Sequence, residues 1–207
     1  ASCIFERSRE KAIQWEGRAL IGGSGYDISI KLPPEIETIK PRINLGFTTR
    51  GCIRKCEFCI VPEKEGRIKI EGDLLDLWDG KAKDITLLDN NILAAPKHFK
   101  EICNQARENK IRLDFNQGLD YRLLNQAMVG ELKTIRHQEL HFAWDNFDEQ
   151  PGIDKVIDML QDNKINRCTW LVLAGFNTDF QQDLYRVSHL KARNQNAYLM
   201  RYNGQTT

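Results

Sequence analysis

The sequence predicts an α/β protein whose parallel strands alternate with helices and curl into a barrel or partial barrel. Three observations carry this. Six short apolar runs, at 43–47, 85–88, 111–115, 140–144, 169–174 and 197–200, are rich in Ile, Leu, Phe, Trp and Val and have strand length rather than helix length. From the second onward their starts lie 26, 29, 29 and 28 residues apart, the even spacing of repeated strand–helix units. The segments between them place apolar residues at helical period. Such alternation covers a parallel sheet with helices, and right-handed crossovers in chain order close six units toward a barrel. A doubly wound sheet satisfies the same pattern, although no phosphate-binding glycine fingerprint opens a first helix.

Along the chain, residues 1–40 stand outside the rhythm. Positions 8–15 are expected to be helical and to stop near Gly17, and 19–21 to form a strand before Gly22-Gly23-Ser24-Gly25, whose simplest role is a tight turn. Pro33-Pro34 and Pro41 mark a linker, so a boundary is placed near residue 40, with 41–207 as the barrel. The first interval between strands is 42 residues, and this insertion holds three of the six cysteines. Leu74, Leu75 and Trp78 suggest a small helix after it. Pro96, then Phe99, Ile102, Cys103 and Ala106, give the next helix. Leu123, Leu124, Ala127 and Met128 make a shorter apolar face, and Ile153, Val156, Ile157 and Leu160 a longer one. Phe180, Leu184 and Val187 repeat the period, with Thr178 and Gln181 spaced as a capping box.

Composition bounds the function. The 207 residues are 41% hydrophobic and 29% charged, which is globular, and the net charge of +1 imposes no bulk demand for nucleic acid or membrane. No apolar stretch reaches the roughly 18 residues of a membrane span, and no signal peptide is recognisable. The opening residues read as the middle of a longer protein, and the barrel is expected to be truncated at its C-terminal end. Six cysteines, three clustered and three single, fit a reducing compartment, and the expected location is cytoplasmic. Cys3, Cys103 and Cys168 are expected to be buried packing residues. His98, His137, His141 and His189 show no ligand spacing.

The cluster runs Cys52-Ile53-Arg54-Lys55-Cys56-Glu57-Phe58-Cys59, a C-x3-C-x2-C pattern. Thiolates this close wrap one metal centre, either iron–sulfur or zinc. A structural zinc site wants four ligands, and the loop supplies no fourth Cys or His. An iron–sulfur cube on three thiolates keeps one iron open, as catalysis requires. The loop follows the end of the first strand, where sites assemble in such barrels. The other strand ends are polar too: Asp89-Asn90-Asn91, Asn116-Gln117, Asp145-Asn146, Asn177-Thr178 and Arg201-Tyr202-Asn203. Converging on one rim, they would suit a ligand with amino, carboxylate and ribose groups.

The stretch from Arg50-Gly51-Cys52 to Cys59-Ile60-Val61-Pro62 resembles the signature loop of radical S-adenosylmethionine enzymes, including the aromatic residue before the third cysteine. The resemblance implies a six-stranded (β/α)6 partial TIM-type barrel over about 43–203. It implies a [4Fe–4S] cluster on Cys52, Cys56 and Cys59, with S-adenosylmethionine chelating the open iron. Reductive cleavage would give methionine and a 5′-deoxyadenosyl radical that abstracts hydrogen from a substrate. Phe58 inherits the place beside the adenine. Asp89 or Asn90 would hold the cofactor's amino group where the family has a Gly-Gly-Glu-like segment. Gly175 and Asn177, in Leu173-Ala174-Gly175-Phe176-Asn177, resemble the segment of the fifth strand near the adenine. Asn116, Gln117 and Asp145 are candidates for ribose, methionine-end or substrate contacts.

Finer resemblances diverge. Cys59-Ile60-Val61-Pro62 and Gly66-Arg67 are similar to methylthiotransferases. Ile21-Gly22-Gly23-Ser24-Gly25-Tyr26-Asp27 with Leu32-Pro33-Pro34-Glu35-Ile36-Glu37 resembles the tail of the α/β domain that precedes the barrel in cobalamin-dependent members. Cobalamin is implied only by that neighbour, because the histidine-bearing cobalamin motif is absent from this chain. The basic residues Arg50, Arg54, Lys55, Lys64, Arg67 and Lys69 suit an anionic substrate, an acidic electron donor such as flavodoxin or ferredoxin, or RNA, and are otherwise a solvated loop face. A non-catalytic zinc-binding interaction module is the reading from another functional class.

Overall fold

The computed structural model describes Cys3 and residues 6–30, 33–37, 39 and 42–202. Leu32, Pro41 and Asn203, on which parts of the linker and the last rim segment were placed, lie outside the described residues. The chain divides into two compact units, Ala1–Pro41 and Arg42–Thr207.

In the first unit the expected helix is short: α1 (Arg9–Ile13) follows a single 3-10 turn, and α2 (Pro34–Glu37) is one turn long. No ladder forms at 19–21. Instead the amides of Tyr26 and Asp27 donate to the Gly23 carbonyl at 2.9 and 3.0 Å, which makes the glycine run a tight turn. Gly23 has φ +108°, and a Cβ there would sit 2.6 Å from the Cys3 carbonyl, so this position requires glycine.

The second unit runs β1 (Leu45–Gly46), β2 (Thr49–Arg50), α3 (Val61–Lys64), β3 (Lys69–Ile70), α4 (Leu74–Leu77), β4 (Asp84–Leu87), α5 (Pro96–Glu108), β5 (Arg112–Phe115), α6 (Gln126–Thr134), β6 (Arg136–His137), β7 (His141–Trp144), α7 (Gln150–Asp162), β8 (Thr169–Ala174), α8 (Phe180–Ala192) and β9 (Asn196–Arg201). All six apolar runs supply strands: β1, β4, β5, β7, β8 and β9. Every pairing among these six is parallel and follows chain order. The fold is therefore α/β with parallel sheets.

The parallel ladders form two sheets, β1-β4-β5-β6 and β7-β8-β9, and the expected six-stranded partial barrel is not shown as one continuous sheet. The fourth strand is interrupted between His137 and His141: β6 pairs with β5, and β7 pairs with β8. A single parallel bridge, Leu119↔Phe142, and the Leu119 amide donating to the His141 carbonyl at 2.8 Å tie the two sheets at this point. β1 is shorter than its apolar run because Asn44 adopts φ +62°, outside strand geometry. A two-stranded antiparallel hairpin, β2–β3, encloses the cysteine loop; nothing in the apolar periodicity announced it.

One core underlies both sheets. Ile85, Leu87, Leu113, Phe142, Trp144, Trp170 and Val172 from the strands meet Phe99, Ile102, Cys103, Val129, Leu132, Ile153 and Ile157 from the helices. α5 and α7 bury the faces their period predicts. α8 does not. Phe180 and Leu184 are 74% and 50% exposed, while Arg186 is fully buried beside Leu190. Its capping box also lies one residue later than expected, with Asp179 accepting from the Gln182 amide at 2.8 Å. The cause is Arg186. Its guanidinium donates to the carbonyls of Trp144, Asp145 and Leu173 at the ends of β7 and β8, and to Asp183 at 2.7 Å. Carbonyls left at strand ends need donors, and a planar guanidinium serves several at once. Replacing it with an apolar chain of similar length orphans these acceptors and the Asp183 charge. Arg186→Met is expected to lower unfolding free energy by about 3–5 kcal/mol, read as a lower urea midpoint.

Candidate functional site

The site begins where β1 ends. Thr48 and Thr49, both fully buried, point every donor they have at Asp89, which follows β4. The carboxylate of Asp89 accepts from the Thr48 amide at 3.2 Å, the Thr48 hydroxyl at 2.8 Å, the Thr49 hydroxyl at 2.6 Å and the Thr49 amide. The next residue, Asn90, accepts from the Gly51 amide at 2.9 Å. The one after it, Asn91, donates to the sulfur of Cys52 at 3.3 Å. Three consecutive residues after the second strand thus hold the entry to the cysteine loop. The exit is held by the Cys52 amide donating to the Gly66 carbonyl at 3.1 Å. Gly51 has φ +83°, and a Cβ there would overlap the Arg67 carbonyl, so the loop closes this tightly only with glycine.

Cys52, Cys56 and Cys59 all line one cleft of about 340 Å³. Its other walls are Arg54, Asn90, Asn91, Gln117, Asp120, Arg122 and Asp145, above a floor of Phe142, Ala143, Leu171, Leu173 and Met200. Burial pushes the Cys56 and Cys59 thiols up from their ordinary range, and each is raised further by the neighbouring thiols. Among the described residues, no three Cys, His, Asp or Glu side chains gather as ligands of one metal ion. Thiolates sharing a tetrahedral ion lie roughly 3.8 Å apart, given metal–sulfur bonds of about 2.3 Å. Thiolates that each take a separate corner of a cube need no such convergence. Three thiols lining one cleft are a donor set suited to the larger centre.

Charge in the cleft is balanced locally. Asp120, with a side chain 6% exposed, accepts from Arg54 Nε at 3.0 Å, Arg122 Nε at 2.7 Å and Asn91 Nδ2 at 3.1 Å. Burial alone would raise its carboxyl; the bonds from Arg122 and Arg54 outweigh that and hold it below the usual range. Asp145 has the opposite balance. Burial and the nearby Glu149 carboxylate push it up to about 6. Asn91 is 3% exposed, and its Oδ1 has no partner among the described residues. A buried acceptor left unpaired costs about 1–3 kcal/mol.

The structure brings Cys52, Cys56, Cys59, Phe58, Asn90, Gln117 and Asp145 to the cleft and leaves four of the expected residues out of its lining. Asp89 faces the threonines. Asn116 is exposed and accepts from Gln117 at 3.3 Å. Gly175 donates its amide to Asp183 at 3.1 Å. Asn177 is exposed, in a left-handed turn at φ +49°. The ring of Phe58 stands edge-on to Phe176 at 5.1 Å, and Phe176 to Tyr202 at 4.8 Å. Sequence reasoning missed Arg54 as a wall residue, and Asp120 and Arg122 altogether. The available signal was Asp120-Tyr121-Arg122, an ion-pairing couple just past the polar end of β5. A second cleft of about 550 Å³ shares Cys52 with the first and is lined by Arg54, Lys55 and Arg67 together with Ile53, Pro62 and Ile68.

No family model matches the chain. Curated relatives do. The tRNA-2-methylthio-N(6)-dimethylallyladenosine synthase of Flavobacterium psychrophilum is 29% identical over 122 residues, covering 44% of this chain and 25% of that protein. The enzyme of the same name from Flavobacterium johnsoniae is 42% identical over 50 residues, covering 21% of this chain and 10% of that protein. The chain thus spans a quarter or less of the length of these relatives, and its similarity to them is distant and partial. No helix among the described residues is long and apolar enough to cross a membrane.

Asp145 gives a pH signature. Its folded carboxyl holds a proton more tightly than the unfolded one, so its contribution to stability is greatest below about pH 4 and falls as pH rises to about 6. Asp145→Asn is expected to gain about 1–3 kcal/mol at pH 8 and nothing at pH 3.5, measured by urea unfolding of the iron-free chain across that range.

Proposed function

We propose that this chain carries the cluster-binding part of a radical S-adenosylmethionine enzyme, with Cys52, Cys56 and Cys59 holding a [4Fe–4S] cluster. The observation that supports it best is the three thiols of a C-x3-C-x2-C loop lining one cleft, beyond the end of β1 in a set of parallel strands. When bound, the cluster and S-adenosylmethionine supply one-electron chemistry, the reductive cleavage of a sulfonium. The chain's own residues bind, orient and exclude. Asn90, Gln117 and Asp145 offer amide and carboxyl groups at the cleft wall for amino, hydroxyl and carboxylate groups of a ligand. Phe58, braced by Phe176, offers a flat apolar surface. Leu171, Leu173 and Met200 line the cleft with apolar surface, the kind of lining that disfavours water around a reactive intermediate. Arg54 and Arg122 neutralise Asp120 beside the thiols. The cleft volume of about 340 Å³ falls within the range of about 300–1,000 Å³ for small-molecule sites.

The partial similarity to tRNA-2-methylthio-N(6)-dimethylallyladenosine synthases favours the methylthiotransferase branch over a cobalamin-dependent methyltransferase. A nucleoside within RNA is accordingly the first substrate class to test. Lys55 and Arg67, exposed on the cleft behind Cys52, suit either such a substrate or an acidic flavodoxin or ferredoxin as electron donor. A zinc-binding interaction module is the reading these proposals must beat.

Anaerobic reconstitution with iron and sulfide decides between them. The expected product is brown and holds about four irons per chain; with dithionite and S-adenosylmethionine it forms 5′-deoxyadenosine. A colourless protein with one zinc per chain would reject the proposal. Cys56→Ala is expected to lose the iron while circular dichroism stays unchanged, and full iron retention would reject the ligand assignment.

A further inference from the structure

We infer that Asn91 is a positioning residue for the metal centre: it orients Cys52 and raises the reduction potential of the cluster that Cys52 ligates. The inference rests on the cluster assignment proposed above. Asn91 Nδ2 lies 3.3 Å from Cys52 Sγ and 3.1 Å from Asp120 Oδ2. Both neighbours are acceptors, so the carboxamide can face them only with its nitrogen, and its orientation follows from chemistry. Asp120 is in turn held by Arg54 and Arg122, so the amide cannot swing away from the sulfur without breaking its bond to a carboxylate that two arginines hold in place. Oδ1 stays buried with no partner among the described residues, so none of them pulls the amide the other way.

Cys52 also accepts from the Arg54 backbone amide at 3.3 Å. The bond from Asn91 is the one a side-chain substitution removes. A hydrogen bond to a coordinating thiolate withdraws electron density from the iron and favours the reduced, more negative cluster. Asn91 therefore eases electron entry from a donor of fixed potential. The assignment gives a role to a residue whose place after β4 looks like an ordinary strand-end turn.

The test is an electron paramagnetic resonance redox titration of the anaerobically reconstituted chain, with iron measured in each sample. Asn91→Leu fills the same space without a donor, and Asn91→Ala removes the donor with the least steric demand. Both are expected to retain iron and to show a reduced-to-oxidised ratio about tenfold lower at fixed ambient potential, a downward shift of about 59 mV for a one-electron couple. Asn91→Gln, which keeps a carboxamide, is expected to recover part of that shift. Iron-loaded Leu and Ala variants with the wild-type midpoint would overturn the inference and leave the cluster assignment standing. Loss of iron from both while the wild type loads would overturn the potential-tuning role, because Asn91 would then be needed only to place the ligand. A wild-type chain that takes up no iron would overturn the cluster assignment and the inference with it.

Discussion

The site depends on the carboxylate of Asp89. It sits 4% exposed between two fully buried threonines and takes four hydrogen bonds from them. A carboxylate that deep is tolerable only when its lone pairs are met, and Thr48 and Thr49 meet them with both backbone and hydroxyl donors. The exchange fixes the path of the chain as it leaves β1. Asn90 and Asn91 then continue in register onto Gly51 and Cys52. The cysteine loop has little regular structure of its own, so this three-residue clasp is what places its first thiol relative to the strands.

A second set of constraints shapes the other side of the cleft. Arg186 ties the ends of β7 and β8 to α8, which steadies the backbone at Asp145. Glu149 accepts from the Asp145 and Asn146 amides, each at 3.1 Å, and contacts Arg122 at 3.4 Å. The cysteine wall and the Asp145 wall are thereby linked through Arg122 and Asp120. Most of the polar groups in the cleft are held by one another, while Asn91 Oδ1 keeps an unfilled acceptor and Asp145 an unfavourable charge. Unpaid polar costs of this kind concentrate at sites that meet a ligand.

Much of the fold was legible because apolar periodicity reports burial directly. The six strand runs and the buried faces of α5 and α7 follow from it. α8 defeats the same reading: Phe180, Leu184 and Val187 have helical spacing, yet the inward face is organised by a buried arginine that composition alone would send to solvent. That the three cysteines share one cleft was legible because their spacing is local in sequence. The four expected residues outside the cleft lining share a feature. Asp89, Asn116, Gly175 and Asn177 sit at strand ends, where polar and turn-forming residues serve the backbone as readily as a ligand. Which of the two a residue serves is decided by partners distant in sequence, such as Thr48 for Asp89 or Asp183 for Gly175. Asp120 gains its place through pairing with Arg54, 66 residues away, which no local pattern encodes, and it holds Arg122 in turn.

The claim at the centre is that three thiolates hold a four-iron cube and leave one iron for an exchangeable ligand. Mössbauer spectroscopy of protein reconstituted with iron-57 reads this directly. The expected spectrum resolves one iron site from the other three, and adding S-adenosylmethionine shifts that site alone. A spectrum in which all the iron responds alike, or in which no cluster signal is present, would contradict the assignment.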